Sequence, residues 1–159
     1  MDKSSKMIKK VPAVGTKADV DDVVDDVEFE PPVPVVFKNK DGKVKCAAFV
    51  ELADTPKRRA RGLSKRASLG KMSGMIFDCT GPFWMKDVEF PLDLLFTDEY
   101  GKITEKTAMA LDKEGDNLYP AHKYDSANAI ELPFGFCDRH GVEVGDRVET
   151  ADLISRSGR

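Results

Sequence analysis

The chain has 159 residues, 41% of them hydrophobic and 33% charged, with 25 basic against 28 acidic side chains and a formal net charge of −3. That length holds one domain with appendages and a core that needs no staples. The balance gives no global basic field for nucleic acid, and no apolar run approaches the roughly 20 residues that span a bilayer. Cys46, Cys79 and Cys137 lie far apart and form no CxxC, so neither a disulfide framework nor a zinc site is expected. Free thiols, and an N-terminus without the apolar core of a secretory signal, point to a cytoplasmic rather than a secreted protein.

Residues 1–33 read as an arm, residues 34–151 as a compact domain and residues 152–159 as a polar tail. From Asp19 to Glu30 the arm carries seven acidic residues and no basic one. Pro31, Pro32 and Pro34 follow as a stiff connector. Val20, Val23, Val24 and Val27 fall at i, i+3, i+4 and i+7, the spacing of one helix face. Valine and aspartate are indifferent helix formers, so the segment either stays disordered alone or orders on docking.

The compact part opens with a strand over 35–38, a turn over 39–42 ending in Asp-Gly, and a return strand over 43–52. A helix follows, with Asp54 or Thr55 as N-cap and Pro56 in its first turn. Ala60, Leu63 and Ala67 form its apolar stripe, and Gly70 is the expected stop. Lys57, Arg58, Arg59, Arg61, Lys65, Arg66 and Lys71 make this stretch strongly basic, with no acidic residue between Thr55 and Phe77. It reads as a solvated face or as a dock for an acidic partner, such as the arm of another copy. A phosphate-backbone contact lacks the interleaved aromatics. Partner-binding candidates are therefore Val20, Val23, Val24, Val27, Arg58, Arg59 and Arg61.

A buried strand is expected over 74–78, and the stretch from Phe83 to Phe96 should organise the domain. Phe83 and Met85 alternate with Trp84 and Lys86, as in a strand with one face inward. Pro91 interrupts, then Leu92, Leu94 and Phe96 alternate with Asp93, Leu95 and Thr97. A turn over 98–101 leads to a strand over 102–110. The loop over 111–125 carries Asp112, Glu114, Asp116 and Asn117, whose spacing does not fit a calcium loop. A strand over 126–132, a helical turn over 134–140 ending at Gly141, a turn over 144–146 and a strand over 147–150 complete the chain. Short strands, tight turns and little helix give a mainly β protein, α+β only in a minor sense. The expected form is a small antiparallel rolled sheet or partial barrel with one or two short helices.

Several patterns occur in order over residues 49–148: VELADTPKRRARGL, GMIF, FWMKD followed by PLDLLF, Tyr119-Pro120, AIELP and HGVEVGDRV. Together they resemble the bacterial and phage family known as domain of unknown function 192. The resemblance implies a compact, mostly β domain with a short helix after the first strands, and it brings no activity. Asp87 stands where the family motif usually has asparagine. The loop before Tyr119 lacks the cysteine pair that many exported relatives carry, which argues against a periplasmic role. Phage members suggest, by analogy, a virion part.

No catalytic constellation stands out. There is no GxSxG, no phosphate-binding loop, no metal-ligand spacing and no cysteine in an activating context, so no cofactor or metal is expected. His140 sits where an imidazolium suits a helix C-terminus. The remaining chemistry lies in Asp93, Glu131 and Asp146, if the fold gathers them near Trp84, Lys86 and Tyr119. Trp84, Lys86, Asp93, Tyr119 and Glu131 are the candidates for a small-ligand or carbohydrate pocket. Asp93 with Glu131 is the pair for a carboxylate-based hydrolase. The same carboxylates also suit the plain task of holding turns and strand ends. The leading expectation is a non-enzymatic structural or interaction subunit, anchored to other protein subunits by its arm. A virion component is one setting, and neither a membrane nor nucleic acid is an expected partner.

Overall fold

The computed structural model describes residues 27–150, and within them seven strands share one sheet. In chain order they are β1 Val33–Lys38, β2 Val44–Ala53, β3 Ser73–Phe77, β4 Leu92–Thr97, β5 Ile103–Met109, β6 Asn128–Pro133 and β7 Arg147–Glu149. Helix α1, Pro56–Arg61, joins β2 to β3, and helix α2, Phe136–His140, joins β6 to β7.

Two hairpins use the same turn chemistry. After β1, the Asn39 side chain accepts from the N–H groups of Asp41 and Lys43, each at 2.9 Å. After β4, Asp98 accepts from Tyr100 and Lys102 in the same way, each at 2.9 Å. Each turn closes on a glycine in the left-handed region, Gly42 at φ +86 and Gly101 at φ +90. Helix α1 starts as expected, with the Thr55 hydroxyl accepting from Arg58 N at 3.1 Å and Pro56 in the first turn. It stops earlier than expected. Gly62, at φ +51, returns its N–H to Arg58 O, and the chain leaves the helix eight residues before Gly70. Ala60 and Leu63 are buried, while Ala67 lies beyond the helix and exposed.

The strand order is β5-β4-β6-β3-β2-β1-β7. Most neighbours are antiparallel, but β2 and β3 run parallel, from Phe49↔Ser73 to Ala53↔Phe77. The expected small rolled sheet is present and mainly antiparallel, with this one parallel pair inside it. The connection through α1 is a crossover, which returns the chain in the same direction. The sheet rolls until its two ends meet. Lys102 and Arg147 form a bridge, Ile103 N donates to Asp146 O at 2.8 Å, and Val148 N donates to Gly101 O at 2.8 Å. A Cβ at Gly101 would sit 2.3 Å from Val148 O, so the seam needs a glycine there. The result is a mostly β half-barrel, closed at one end and without long free edges at that end.

Each face of the sheet has its own core. Val35, Phe37, Leu95, Ile103 and Val148 come from opposite ends of the strand order yet share one cluster, so they face the inside of the roll. Phe136 of α2 plugs that interior, its ring centroid 5.6 Å from that of Phe37. On the outer face, Met75, Phe77, Leu94, Phe96 and Ala129 are roofed by Leu63, Phe83 and Met85. The strand expected over 83–86 does not form. Only an isolated bridge, Phe83↔Tyr119, ties this segment to a neighbour, although Phe83 and Met85 are fully buried.

Candidate functional site

The register between β4 and β6 settles where the two suspected catalytic carboxylates stand. Leu94 faces Glu131 and Asp93 faces Leu132. Facing residues share a face of the sheet, so Asp93 points into the roll with Leu132, and Glu131 points outward with Leu94. The hydrolase pair is thereby corrected, as is the pocket that was to hold both residues. Asp93 is 7% exposed and accepts from Gly135 N at 3.2 Å and Cys137 N at 2.9 Å, which holds the start of α2 in the barrel. Asp146 accepts from Lys45 Nζ at 2.7 Å and Glu143 N at 2.8 Å and so fixes the last turn. Both are structural anchors.

Glu131 is different. It is 4% exposed, and no hydrogen bond or ion pair reaches its side chain among the described residues. Its cross-strand neighbours are Met75 and Leu94. Burial in these apolar surroundings pushes its pKa up to about 8, so the carboxyl stays protonated at neutral pH. Cys79, just after β3, lies within electrostatic reach, and its own pKa is raised chiefly by burial.

The other pocket candidates do not converge on it. Trp84 and Lys86 are half-buried under the loop that follows β5. Gly115 crosses them at φ +70, so closely that a Cβ there would lie 2.8 Å from Lys86 Cβ and 2.9 Å from Trp84 Cε3. Tyr119 pairs with Phe83, donating its N–H to Phe83 O at 2.9 Å. It lines a cleft of about 300 Å³ together with Phe96, Glu105, Leu118 and His122, a cleft that Trp84, Lys86 and Glu131 do not line. Glu105 Oε2 accepts from His122 N and Lys123 N, each at 2.7 Å. Asp112 similarly braces its loop through Gly115 N and Asn117 N.

Asp87 sits at φ +62 and gives its carbonyl to Lys65 N at 2.9 Å, while Lys65 itself is at φ +64. Asparagine and aspartate are the non-glycine residues that enter this region most readily, which accounts for either at this position. Asp87→Asn is expected to leave the midpoint of urea unfolding nearly unchanged, whereas Asp87→Val should lower stability by about 1–2 kcal/mol. Equal midpoints for the two variants would contradict this account.

The basic stretch lacks acidic neighbours in sequence but acquires them in space. Arg58 pairs with Asp54 at 3.0 Å, Arg59 with Asp78 at 2.8 Å and Arg66 with Glu51 at 2.6 Å. Arg61 Nε donates to Ser64 O at 3.0 Å. The end of the arm completes the surface. Arg58 Nε donates to Glu28 O at 2.9 Å, and its guanidinium lies 3.9 Å from the Glu30 carboxylate. Arg66 stacks over the Phe29 ring, 5.2 Å from its centroid, and Phe29 packs against the outer core. Val27 is described and half-buried, while Val20, Val23 and Val24 lie outside the described residues. Sequence reasoning placed Arg66 in the basic stretch but not among the partner-binding candidates, and it missed Phe29. The available signal was that Phe29 is the sole aromatic residue of the arm.

Among the described residues, no group of three potential metal ligands comes together and no helix is long and apolar enough to cross a membrane. Residues 34–150 match the model of a family described as uncharacterized ACR, DUF192. A solved structure from Sinorhizobium meliloti, provisionally called a transcription regulator, is similar at 30% identity and a TM-score of 0.67, covering 78% of this chain and 96% of that one. A protein of unknown function from Novosphingobium aromaticivorans is similar at 25% identity and a TM-score of 0.65, covering 80% of this chain and 96% of that one. Comparison with curated proteins gives no match.

Proposed function

Because the chain belongs to the DUF192 family, whose description assigns no activity, we propose its role from geometry: a non-enzymatic interaction subunit held in a larger protein assembly by its acidic arm and basic helix α1. The observation that carries this reading is the clasp of Arg58 and Arg66 on residues 28–30. An acidic segment bearing an apolar anchor is the ligand for which this surface is shaped. Exposed ion pairs contribute about 0.2–1 kcal/mol each and a cation–π contact about as much, so one clasp is weak. The clasp lies within one chain; contacts of the same kind made between chains, repeated across many subunits, add up through avidity. A phage particle, assembled in the host cytoplasm, is the setting that fits best by family analogy.

The transcription-regulator description of the Sinorhizobium meliloti protein is not adopted. The net charge of this chain is negative, which gives no broad basic field for nucleic acid.

The test is co-sedimentation of the full chain with the assembly it enters in its source cells. The wild type should travel with that assembly at ~0.15 M salt and be released near 1 M, where the screening length falls to about 3 Å. Arg58→Glu should reduce the bound share about tenfold, as expected for roughly 1.4 kcal/mol lost per site. A wild type that always sediments alone, or an Arg58→Glu chain that binds equally well, defeats the proposal.

A further inference from the structure

Strand β5 ends the strand order, and the seam with β7 covers only its beginning. Ile103 N donates to Asp146 O, and Ile103 O accepts from Gly145 N. Beyond that point Lys106, Thr107 and Ala108 are exposed. The flanks of β4 show which of them turn outward. Asp98 N meets Lys102 O on the β5 side, while Pro91 O accepts from Phe134 N on the β6 side. Backbone groups alternate along a strand, so Leu92, Leu94 and Phe96 bond towards β5, and their partners Met109, Thr107 and Glu105 bond back. Lys106 and Ala108 are left with N–H and C=O groups turned away from the sheet. Among the described residues, no backbone bond from outside the β4–β5 ladder reaches them.

The cleft of about 300 Å³ beside Tyr119 runs along this edge. Lys106 lines it although its side chain turns to the inner face with Leu95, so the cleft borders the main chain of the strand. Leu118, Tyr119 and Pro120 supply an apolar wall, with Leu118 exposed. Glu105 supplies a fixed carboxylate. Its Oε2 is held by the N–H groups of His122 and Lys123, each at 2.7 Å. Its Oε1 accepts no hydrogen bond among the described residues and lies 3.7 Å from His122 Nδ1. The neighbouring loop over 111–125 is acidic, with Asp112, Glu114, Asp116 and Asp125 against Lys113 and Lys123. Ligand sites run from about 300 to 1,000 Å³, so this one suits a single long side chain. Lysine and arginine match both parts, with an apolar stem for the wall and a cationic head for Glu105.

We propose that the open edge of β5 takes an extended segment of a partner protein as an added strand, with a lysine or arginine of that segment seated in the cleft towards Glu105. Main-chain bonds to Lys106 and Ala108 hold the segment, and the basic side chain selects it. This contact surface shares no residue with the clasp on α1 and requires nothing of the arm.

The test uses the full-length, nitrogen-15-labelled protein and the capped peptide Thr-Val-Thr-Lys-Thr-Val-Thr. Companion peptides carry glutamate in place of lysine, or N-methyl groups on one or the other alternate set of amides. Amide spectra are followed up to ~5 mM peptide, so that a Kd near ~1 mM is seen. The lysine peptide is expected to shift the amides of Lys106, Ala108 and residues 118–123. The glutamate peptide should bind at least ~10-fold more weakly, since it sets like charges together. N-methylation of one alternate set should abolish binding. Ala108→Pro removes an outward N–H while leaving the ladder to β4 whole, and should abolish it too. Glu105→Gln, which keeps an acceptor for His122 N and Lys123 N, should remove the preference for lysine. If Ala108→Pro does not fold, the N-methylated peptides make the same comparison on the wild type. No shift at β5 with any peptide overturns the proposal, as does equal binding of the lysine and glutamate peptides. Binding that survives methylation of either set of amides also overturns it. Shifts along β5 that grow with protein concentration alone assign the edge to a second copy and overturn it as well.

Discussion

Replacing Glu131 with methionine is expected to stabilise the domain, by several kcal/mol above pH 8 and by much less at pH 4. The carboxyl is buried between Met75 and Leu94 with no partner among the described residues, and burial holds its pKa at about 8. In the unfolded chain the group titrates near the ordinary glutamate value, about 4.3. Below that value both states are protonated and the residue exerts no pH-dependent penalty. As pH rises the unfolded chain releases its proton while the folded one keeps it, so stability falls steadily until the folded group also ionises near pH 8. Each unit of separation is worth about 1.4 kcal/mol, which makes about 5 kcal/mol the upper bound for the whole window. Methionine has similar length, suits the apolar surroundings and removes the titration. Urea unfolding of both proteins from pH 4 to pH 8.5 gives the comparison. Parallel stability curves would show that the carboxyl is not isolated, and a partner beyond the described residues would then be the place to look.

The second large effect concerns Asp93. Its carboxylate holds two N–H groups at the start of α2, and α2 carries Phe136 into the barrel interior. Asp93→Ala leaves both donors unsatisfied in a buried place and opens a small void. A loss of about 2–4 kcal/mol is expected, since an unmet buried donor costs about 1–3 kcal/mol. Asp93→Asn keeps one acceptor oxygen and should cost about half as much. The distinguishing measurement is amide exchange: Cys137 N–H should lose protection in Asp93→Ala well before the amides of β2 do. Uniform loss across the molecule would mean that α2 is not a separately anchored plug. Asp93 and Glu131, which look alike in sequence, thus predict opposite signs when their carboxyl groups are removed. One is satisfied and the other is not.

That contrast shows where sequence reading succeeds here. The turns at Asp98 and Asn39 are legible because their chemistry is local: a short acceptor side chain, then glycine. Strands β4 and β5 follow from alternation around such a turn. The segment at Phe83 misleads because alternation reports which side chains are buried and carries no information about a hydrogen-bonded ladder. Phe83 and Met85 do point inward, but onto the outer face of the sheet as a roof. The parallel pairing of β2 with β3 depends on how α1 crosses over, which no local pattern encodes. The carboxylates fail for a related reason. Whether Asp93 and Glu131 meet is decided by strand register, where a shift of one residue reverses the face. The LDLLF run contained the hint: all six residues of β4 are buried, so both faces are covered and a carboxylate on it needs a private solution.

The seam between β5 and β7 sets a limit on the order of events during synthesis. The ring cannot shut before residues 145–148 are available to meet Gly101 and Ile103. Until then a nascent chain presents an open, partly apolar gutter whose first and last staves have not touched. The protein is at greatest risk of sticking to its neighbours in the moments before its final strand arrives, and a chain interrupted just short of β7 would stay in that condition.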